Sequence, residues 1–301
     1  MATSAAGQRP RDAKPPGKPP ELQSFLNRHL FHPLARRLAV LLSHTPVSPN
    51  MVSVFGAILV LAAGGCYAGL DWPEGVAIGF ALHLMWHVVD GADGDLARLT
   101  GRASPFGETV DGACDYLSHA ILYFMIATIL DDHIGLWAYP LGFLSGFSRV
   151  AQANHAESQR RIYMWRAYGV PWLQQTTASE GTPRKSGAAG LFEAAGRAYV
   201  ALADKLSPAA PEIDRAAEKA ANDPEARQHL ARLCRCAFRR PLFLQMLLGA
   251  NPRTVLLGVS MASGFPLLYF LVETTLLNLL LIASIREQKK CDARLAARLA
   301  E

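Results

Sequence analysis

Six apolar stretches, at residues 47–69, 76–89, 109–130, 135–151, 254–270 and 271–285, are separated by the segments that hold most of the charge. Each approaches the roughly 20 residues that a helix needs to cross a bilayer. Hydrocarbon offers no partner for backbone polar groups, so such segments cross as helices. The expected fold is therefore an all-α integral membrane protein with six transmembrane helices. Composition alone, at 301 residues, 50% hydrophobic and a net charge of +5, would equally suit a soluble chain. The clustering of apolar residues decides the matter.

Residues 1–20 are rich in Pro, Gly, Lys and Arg and read as a disordered tail without a secretory signal. Over 21–43, Leu22, Leu26, Leu30, Leu34, Leu38 and Leu41 recur at helical spacing among Arg28, Arg36 and Arg37, the pattern of an amphipathic interfacial helix. The first four crossings then occupy 44–173, a cytosolic helical insert 174–240, the last two crossings 241–286, and a cytosolic tail 287–301. Within the insert, 174–190 is rich in Thr, Ser, Gly and Pro, whereas 191–206 and 211–239 carry charge at helical spacing. The final pair of crossings divides about 32 residues, with a tight turn expected at 264–269.

Basic residues set the orientation. The N-terminus, the 94–106 connection, the 155–253 region and the C-terminus collect nearly all Lys and Arg, whereas the opposite loops, GLDWPEG and LDDHIG, have none. This predicts a multi-pass protein of the inner or cytoplasmic membrane whose 94–106 connection faces the cytoplasm. No basic stripe with interleaved aromatics is present, so nucleic acid is not an expected partner. Five scattered cysteines form neither a disulfide nor a zinc framework.

Four carboxylates, Asp90, Asp93, Asp111 and Asp115, flank that connection at the ends of the second and third apolar stretches. Acids at a membrane edge are costly and mark function. At 100° per residue Asp90, Asp93, Gly94 and Ala97 share one helix face, while Gly107, Asp111 and Asp115, spaced by four, form a stripe on the next helix. Two facing acidic stripes repel unless a cation lies between them. All-oxygen donors suit Mg²⁺ or Mn²⁺, ions that commonly bind with substrate phosphates. Small residues at 94, 97 and 107 leave room for a flat nucleotide, and Arg98 offers a fork to a phosphate or a carboxylate.

The spacing Asp90-x2-Asp93-Gly94-x2-Ala97-Arg98-x8-Gly107-x3-Asp111-x3-Asp115 resembles, at all eight positions, the signature of the CDP-alcohol phosphotransferases (CDP-alcohol phosphatidyltransferases) of phospholipid biosynthesis. The resemblance implies that Asp90, Asp93, Asp111 and Asp115 hold two metal ions, that Asp90, Gly94, Ala97, Arg98 and Gly107 bind the CDP moiety, and that the enzyme works as a homodimer. It also implies transfer of a substituted phosphoryl group from a CDP-linked donor to an alcohol acceptor, with a membrane lipid as one partner and CMP as product.

The subgroup is divided. Ser48-Pro49-Asn50, the run Ser104 to Ser118 and His155-x-Glu157 resemble the choline/ethanolamine phosphotransferase branch, which makes His155 the expected base with Glu157 orienting its ring and a CDP-choline- or CDP-ethanolamine-like donor meeting a lipid hydroxyl. The run DGADGDLAR, with Asp95, resembles members that use CDP-diacylglycerol and a polar acceptor such as inositol phosphate, glycerol phosphate or serine, in which Asp115 is the expected base. His83, His87 and His119 lie at helical spacing around the acids and suit packing or support of the carboxylates better than a zinc site. A UbiA-like prenyltransferase and a cation transporter are the rival readings of an intramembrane acidic site.

Overall fold

In a computed structural model of the chain, residues 19–170 and 210–300 are described, and all regular structure among them is helical. Five stretches among these residues are long and apolar enough to cross a membrane: Pro49–Gly69, Glu74–Leu99, Pro105–Tyr168, Arg239–Ala262 and Leu267–Ala300. The third spans 64 residues and is two helices, because Gly135, at φ 63°, turns the chain back on itself. The described chain therefore supplies six crossings.

Helix α1 (His32–Ser43) follows a π-helical turn over Asn27–Phe31 and lies against α3 (Glu74–Leu99). Its inner face is small, with Ala35 and Ala39 buried, so the two backbones approach closely enough that a Cβ on Gly91 would meet that of Ala35 at 3.0 Å. The other face exposes Leu34, Val40 and Leu41 together with Arg36 and Arg37, as a surface-lying helix requires.

Helices α2 (Pro49–Gly69) and α4 (Pro105–Ile134) both start at a Ser-Pro pair. Proline pre-sets the first turn and lacks an N–H that would be unsatisfied there. The serine hydroxyl caps the next: Met51 N–H donates to Ser48 Oγ at 3.3 Å and Gly107 N–H to Ser104 Oγ at 3.0 Å. Glycine then allows tight contact, since a Cβ on Gly64 would fall 2.6 Å from Met125 Sδ and one on Gly79 3.0 Å from the Ala63 carbonyl. These contacts fix α2, α3 and α4 as one unit, and with it the register of the acidic stripes.

Helix α5 (Ala138–Tyr168) runs antiparallel to α4, with Tyr139 against Phe124 near the turn and Asn154 accepting a 2.8 Å hydrogen bond from Tyr116 at the other end. Beyond the 171–209 segment come α6 (Ala210–Lys219), α7 (Pro224–Ala237), α8 (Arg239–Leu247), α9 (Ala250–Ala262), α10 (Leu267–Thr274) and α11 (Leu276–Ala300). The expected helix at 191–206, the 174–190 connection and all but the last two residues of the N-terminal tail lie outside the described residues.

The last two crossings differ in their limits from the expectation. The fifth starts already at Arg239, as α8 and α9, and ends at Ala262; Gly264, at φ 69°, and Pro266 make the turn, so Leu267 belongs to the sixth crossing. Hydropathy is continuous through this turn and cannot locate it. Helix α11 also runs past Ile285 into the expected tail without interruption.

A second apolar core lies at the same end of the bundle as the acids, where the C-terminal halves of α5 and α11 meet α6, α7 and α8 around Tyr163, Ile213, Leu230, Phe238 and Leu295. Arg166, 2% exposed, donates to Asp214 and Asp292 at 2.8 Å each and ties α5 to α6 and α11. Removing one partner from such a buried pair typically costs about 3–5 kcal/mol, because the remaining charge is stranded. Cys234 is buried in this core, which pushes its thiol up to about 11, whereas Cys236 is exposed, so the C-x-C pair points two ways.

Candidate active site

The C-terminal half of α3 and the N-terminal half of α4 bring the four acids together. Asp90, Asp111 and Asp115 each offer a carboxylate oxygen, all three within 4.8 Å of one another. Asp93 lies within hydrogen-bonding reach of Asp111, and Asp90 of Asp115. At an effective dielectric of about 20, two unit charges this close repel by about 3.5 kcal/mol or more. A divalent cation relieves that repulsion, and the donor set is hard oxygen throughout, so the residues present fit Mg²⁺ or Mn²⁺.

Two donors absent from the sequence reading hold the acids in place. Ser53 of α2, buried, donates from Oγ to Asp93 Oδ2 at 2.6 Å, while the Gly94 N–H donates to Asp93 Oδ1 at 2.5 Å. Trp86 of α3, also buried, donates from Nε1 to Asp115 Oδ1 at 3.2 Å. Trp86 sits one turn before Asp90, the only signal the sequence gives of its role. Ser53 comes from another helix and gives none.

The histidines flank this cluster. His119 Nδ1 is 2.8 Å from the Asp115 carbonyl oxygen, and His87 Nε2 is 2.9 Å from Thr254 Oγ1. The rings of His83 and His119 pack around Trp86. They form a polar, buried collar behind Asp115.

A cavity of about 1000 Å³ opens from the acids into the bundle. Asp90 and Asp115 line one wall, while Arg149, Glu157 and Arg160 of α5 and Arg253 of α9 line the others. Towards the lipid-facing surface the lining is aromatic, and Phe143 and Phe147 are 80% and 66% exposed. The cationic side is not balanced by its acids: Arg253 pairs with Glu273 at 3.0 Å, and Arg160 and Arg161 both bond Glu157 at 2.6 Å. Arg149 lies over the Tyr123 ring at 5.9 Å, and Tyr123 in turn donates to Glu273 at 2.9 Å. Apart from Asp90 and Asp115, the three lining guanidiniums Arg149, Arg160 and Arg253 thus meet one lining carboxylate, Glu157, and Arg149 has no ion pair among the described residues.

The other signature residues do not line this cavity, although Asp111 adjoins Asp90 and Asp115 at its edge. Asp93, Gly94, Ala97, Gly107 and Asp111 are outside its lining, and Asn50 Oδ1 of α2 would be 3.5 Å from a Cβ on Gly107. Arg98, 60% exposed, reaches Asp95 at 2.6 Å and folds back over Gly94. His155 is also outside the cavity lining: it is buried, and its Nε2 is 3.1 Å from Ser284 Oγ of α11. The Glu157 carboxylate lines the cavity but is held by Arg160 and Arg161.

An uncharacterized protein of Aquifex aeolicus (strain VF5) is 27% identical to the chain over 186 residues, which is 61% of this chain and 82% of its own length. A family model described as CDP-alcohol phosphatidyltransferase matches residues 46–174, the stretch that contains α2 to α5 and all four acids. Residues 46–174 of the chain thus match a CDP-alcohol phosphatidyltransferase domain.

Proposed function

We propose that the protein transfers a phosphatidyl group from CDP-diacylglycerol to an anionic alcohol, releasing CMP. The observation that carries the choice is the surplus cation at Arg149, which lines the cavity beside Asp90 and Asp115 with no ion pair among the described residues. A choline or ethanolamine headgroup brings its own cation and a diacylglycerol is neutral, so neither makes use of that surplus. A phosphorylated alcohol does, and Arg149 on α5 is the side chain to meet it. The aromatic flank at Phe143 and Phe147 suits the acyl chains of a lipid entering from the bilayer.

In this reading the CDP moiety lies against Gly94, Ala97 and Gly107, and the acceptor occupies the cavity. Asp90, Asp93, Asp111 and Asp115 would hold Mg²⁺ or Mn²⁺. The bound ions would neutralise the pyrophosphate and the charge that develops on the leaving phosphate. Trp86 fixes the orientation of Asp115, whose carboxylate would accept the hydroxyl proton of the acceptor. The basic residues of the connections at this end support a cytoplasmic active site.

The test is CMP release by purified protein. CDP-diacylglycerol is offered with glycerol phosphate, inositol phosphate or serine, and CDP-choline or CDP-ethanolamine with diacylglycerol. Release is expected with CDP-diacylglycerol and a phosphorylated acceptor. Release only from CDP-choline or CDP-ethanolamine would overturn the donor assignment and return the choline/ethanolamine reading.

A further inference from the structure

A second groove lies between α8 and α11, outside the catalytic cavity. Its volume is about 580 Å³, and it is lined by Arg239, Arg240 and Phe243 of α8 and by Glu287, Lys290 and Arg294 of α11. On α11 the three polar residues recur at i, i+3 and i+7 and so form one stripe. We propose that this groove binds the headgroup of an anionic phospholipid from the adjacent leaflet.

Charge is the first support. Glu287 lies 3.1 Å from Lys290 and 3.8 Å from Arg240, one carboxylate among four cations, while Arg239 and Arg294 have no ion pair among the described residues. Depth is the second. The apolar part of α11 exposes Leu276, Leu279 and Ile282 and gives way to charge at Arg286. Ile282 and Glu287 are five residues apart, about 7.5 Å along a helix axis. On α8, Phe243 is 55% exposed one turn beyond Arg239. Both helices therefore present an apolar surface that ends just below the cationic rim, the relation of acyl chain to headgroup.

Basic residues flank most crossings, and flanking alone would scatter them around a helix. Here they converge from two helices remote in sequence onto one concavity that Phe243 also lines. A basic pocket between helices at the membrane edge is the arrangement that retains acidic lipid headgroups. A zwitterionic choline lipid gains little there, because its own cation opposes the same groups. The proposal does not depend on which donor or acceptor the enzyme uses.

The experiment measures binding of fluorescent phosphatidylglycerol and phosphatidylcholine, in nonionic detergent micelles, to the purified full chain. Arg239→Gln/Arg294→Gln is compared with Arg36→Gln/Arg37→Gln, an exposed pair on α1. Each cation at such a surface is worth about fivefold in affinity, so the α8/α11 pair should weaken phosphatidylglycerol binding about 25-fold. The α1 pair should leave it unchanged, and phosphatidylcholine should bind weakly throughout. Equal losses in both pairs would reduce the effect to general charge, unchanged binding in Arg239→Gln/Arg294→Gln would remove the site, and displacement by equimolar inorganic phosphate would make it a free-phosphate site; each of these overturns the proposal. All four residues are exposed, and unchanged melting temperatures would verify that the variants fold.

Discussion

Ser53→Ala tests whether the acids are a metal centre without touching any of them. The variant removes one hydroxyl, which donates at 2.6 Å to Asp93 Oδ2 inside the protein. A hydrogen bond to a charged group is worth about 1.5–3 kcal/mol, and each 1.4 kcal/mol is tenfold in an equilibrium constant. If Asp93 must be ionised and oriented to hold a divalent ion, Ser53→Ala should weaken that ion by about 10- to 100-fold, the usual effect of removing a supporting hydrogen bond around a metal site. Titration of the purified protein with Mn²⁺, with free ion read by electron paramagnetic resonance, measures this without any substrate. Ser53→Thr keeps the hydroxyl and should recover most of the loss. Wild-type Mn²⁺ affinity in Ser53→Ala, at unchanged melting temperature, would refute the argument that Asp93 is a ligand whose orientation α2 supplies.

Asp90→Asn and Asp111→Asn should each abolish CMP release while the protein remains folded and membrane-inserted, and excess chelator should do the same to the wild type; full activity in chelator would remove the metal reading. Arg149→Gln should raise the KM for a phosphorylated acceptor by about 10-fold or more, the loss of one charged hydrogen bond, with little change for the CDP-linked donor, and an equal rise for both would place Arg149 elsewhere in the reaction. Near the N-terminus, burial pushes the Glu21 carboxyl up, but hydrogen bonds from Tyr168 and from Tyr163, the latter at 2.9 Å, outweigh it and hold the group below its ordinary 4.5. A carboxyl depressed in the folded state stabilises above its unfolded value and loses that contribution as pH falls through the folded one. Amide exchange of residues 19–31 should therefore accelerate below about pH 4.5 in the wild type and depend less on pH in Glu21→Gln; identical profiles would show that the tyrosines do not anchor the segment.

The acidic centre was legible in sequence because its residues obey one helical register on each of two adjoining helices. Asp90 and Asp93 are one turn apart, Asp111 and Asp115 likewise, and the small residues between the helices let the stripes meet. Ser53 was not legible because its link to Asp93 spans 40 residues and depends on how α2 packs, which the Gly64 and Gly79 contacts settle. The six crossings followed from hydropathy, but the limits of the last two did not. Charge at Arg239 and Arg240 hides the start of the fifth crossing, and unbroken apolarity from Phe265 to Leu271 hides the turn into the sixth.

His155 and Glu157 show where a motif and a register pull apart. On α5, Arg149, Ala153, Ala156 and Arg160 lie at i, i+4, i+7 and i+11, one face of a helix, and all four line the cavity. Ser148, Gln152 and His155 form the neighbouring face, and each is buried against the sixth crossing. Asn278 donates to Ser148 Oγ at 3.0 Å, Gln152 donates to Asn278 Oδ1 at 2.8 Å, and His155 meets Ser284 at 3.1 Å. That row of polar contacts joins two crossings inside a low-dielectric bundle, where an unpaired polar group is costly. Its register gives His155 a packing role and Arg149 the cavity. His155→Ala should accordingly lower the melting temperature, through a lost buried hydrogen bond and a void, and leave the acidic limb of the pH–rate profile in place. A His155→Ala enzyme that melts normally but loses that limb would show that the ring reaches the acceptor after all, and would return the proton to His155 from Asp115.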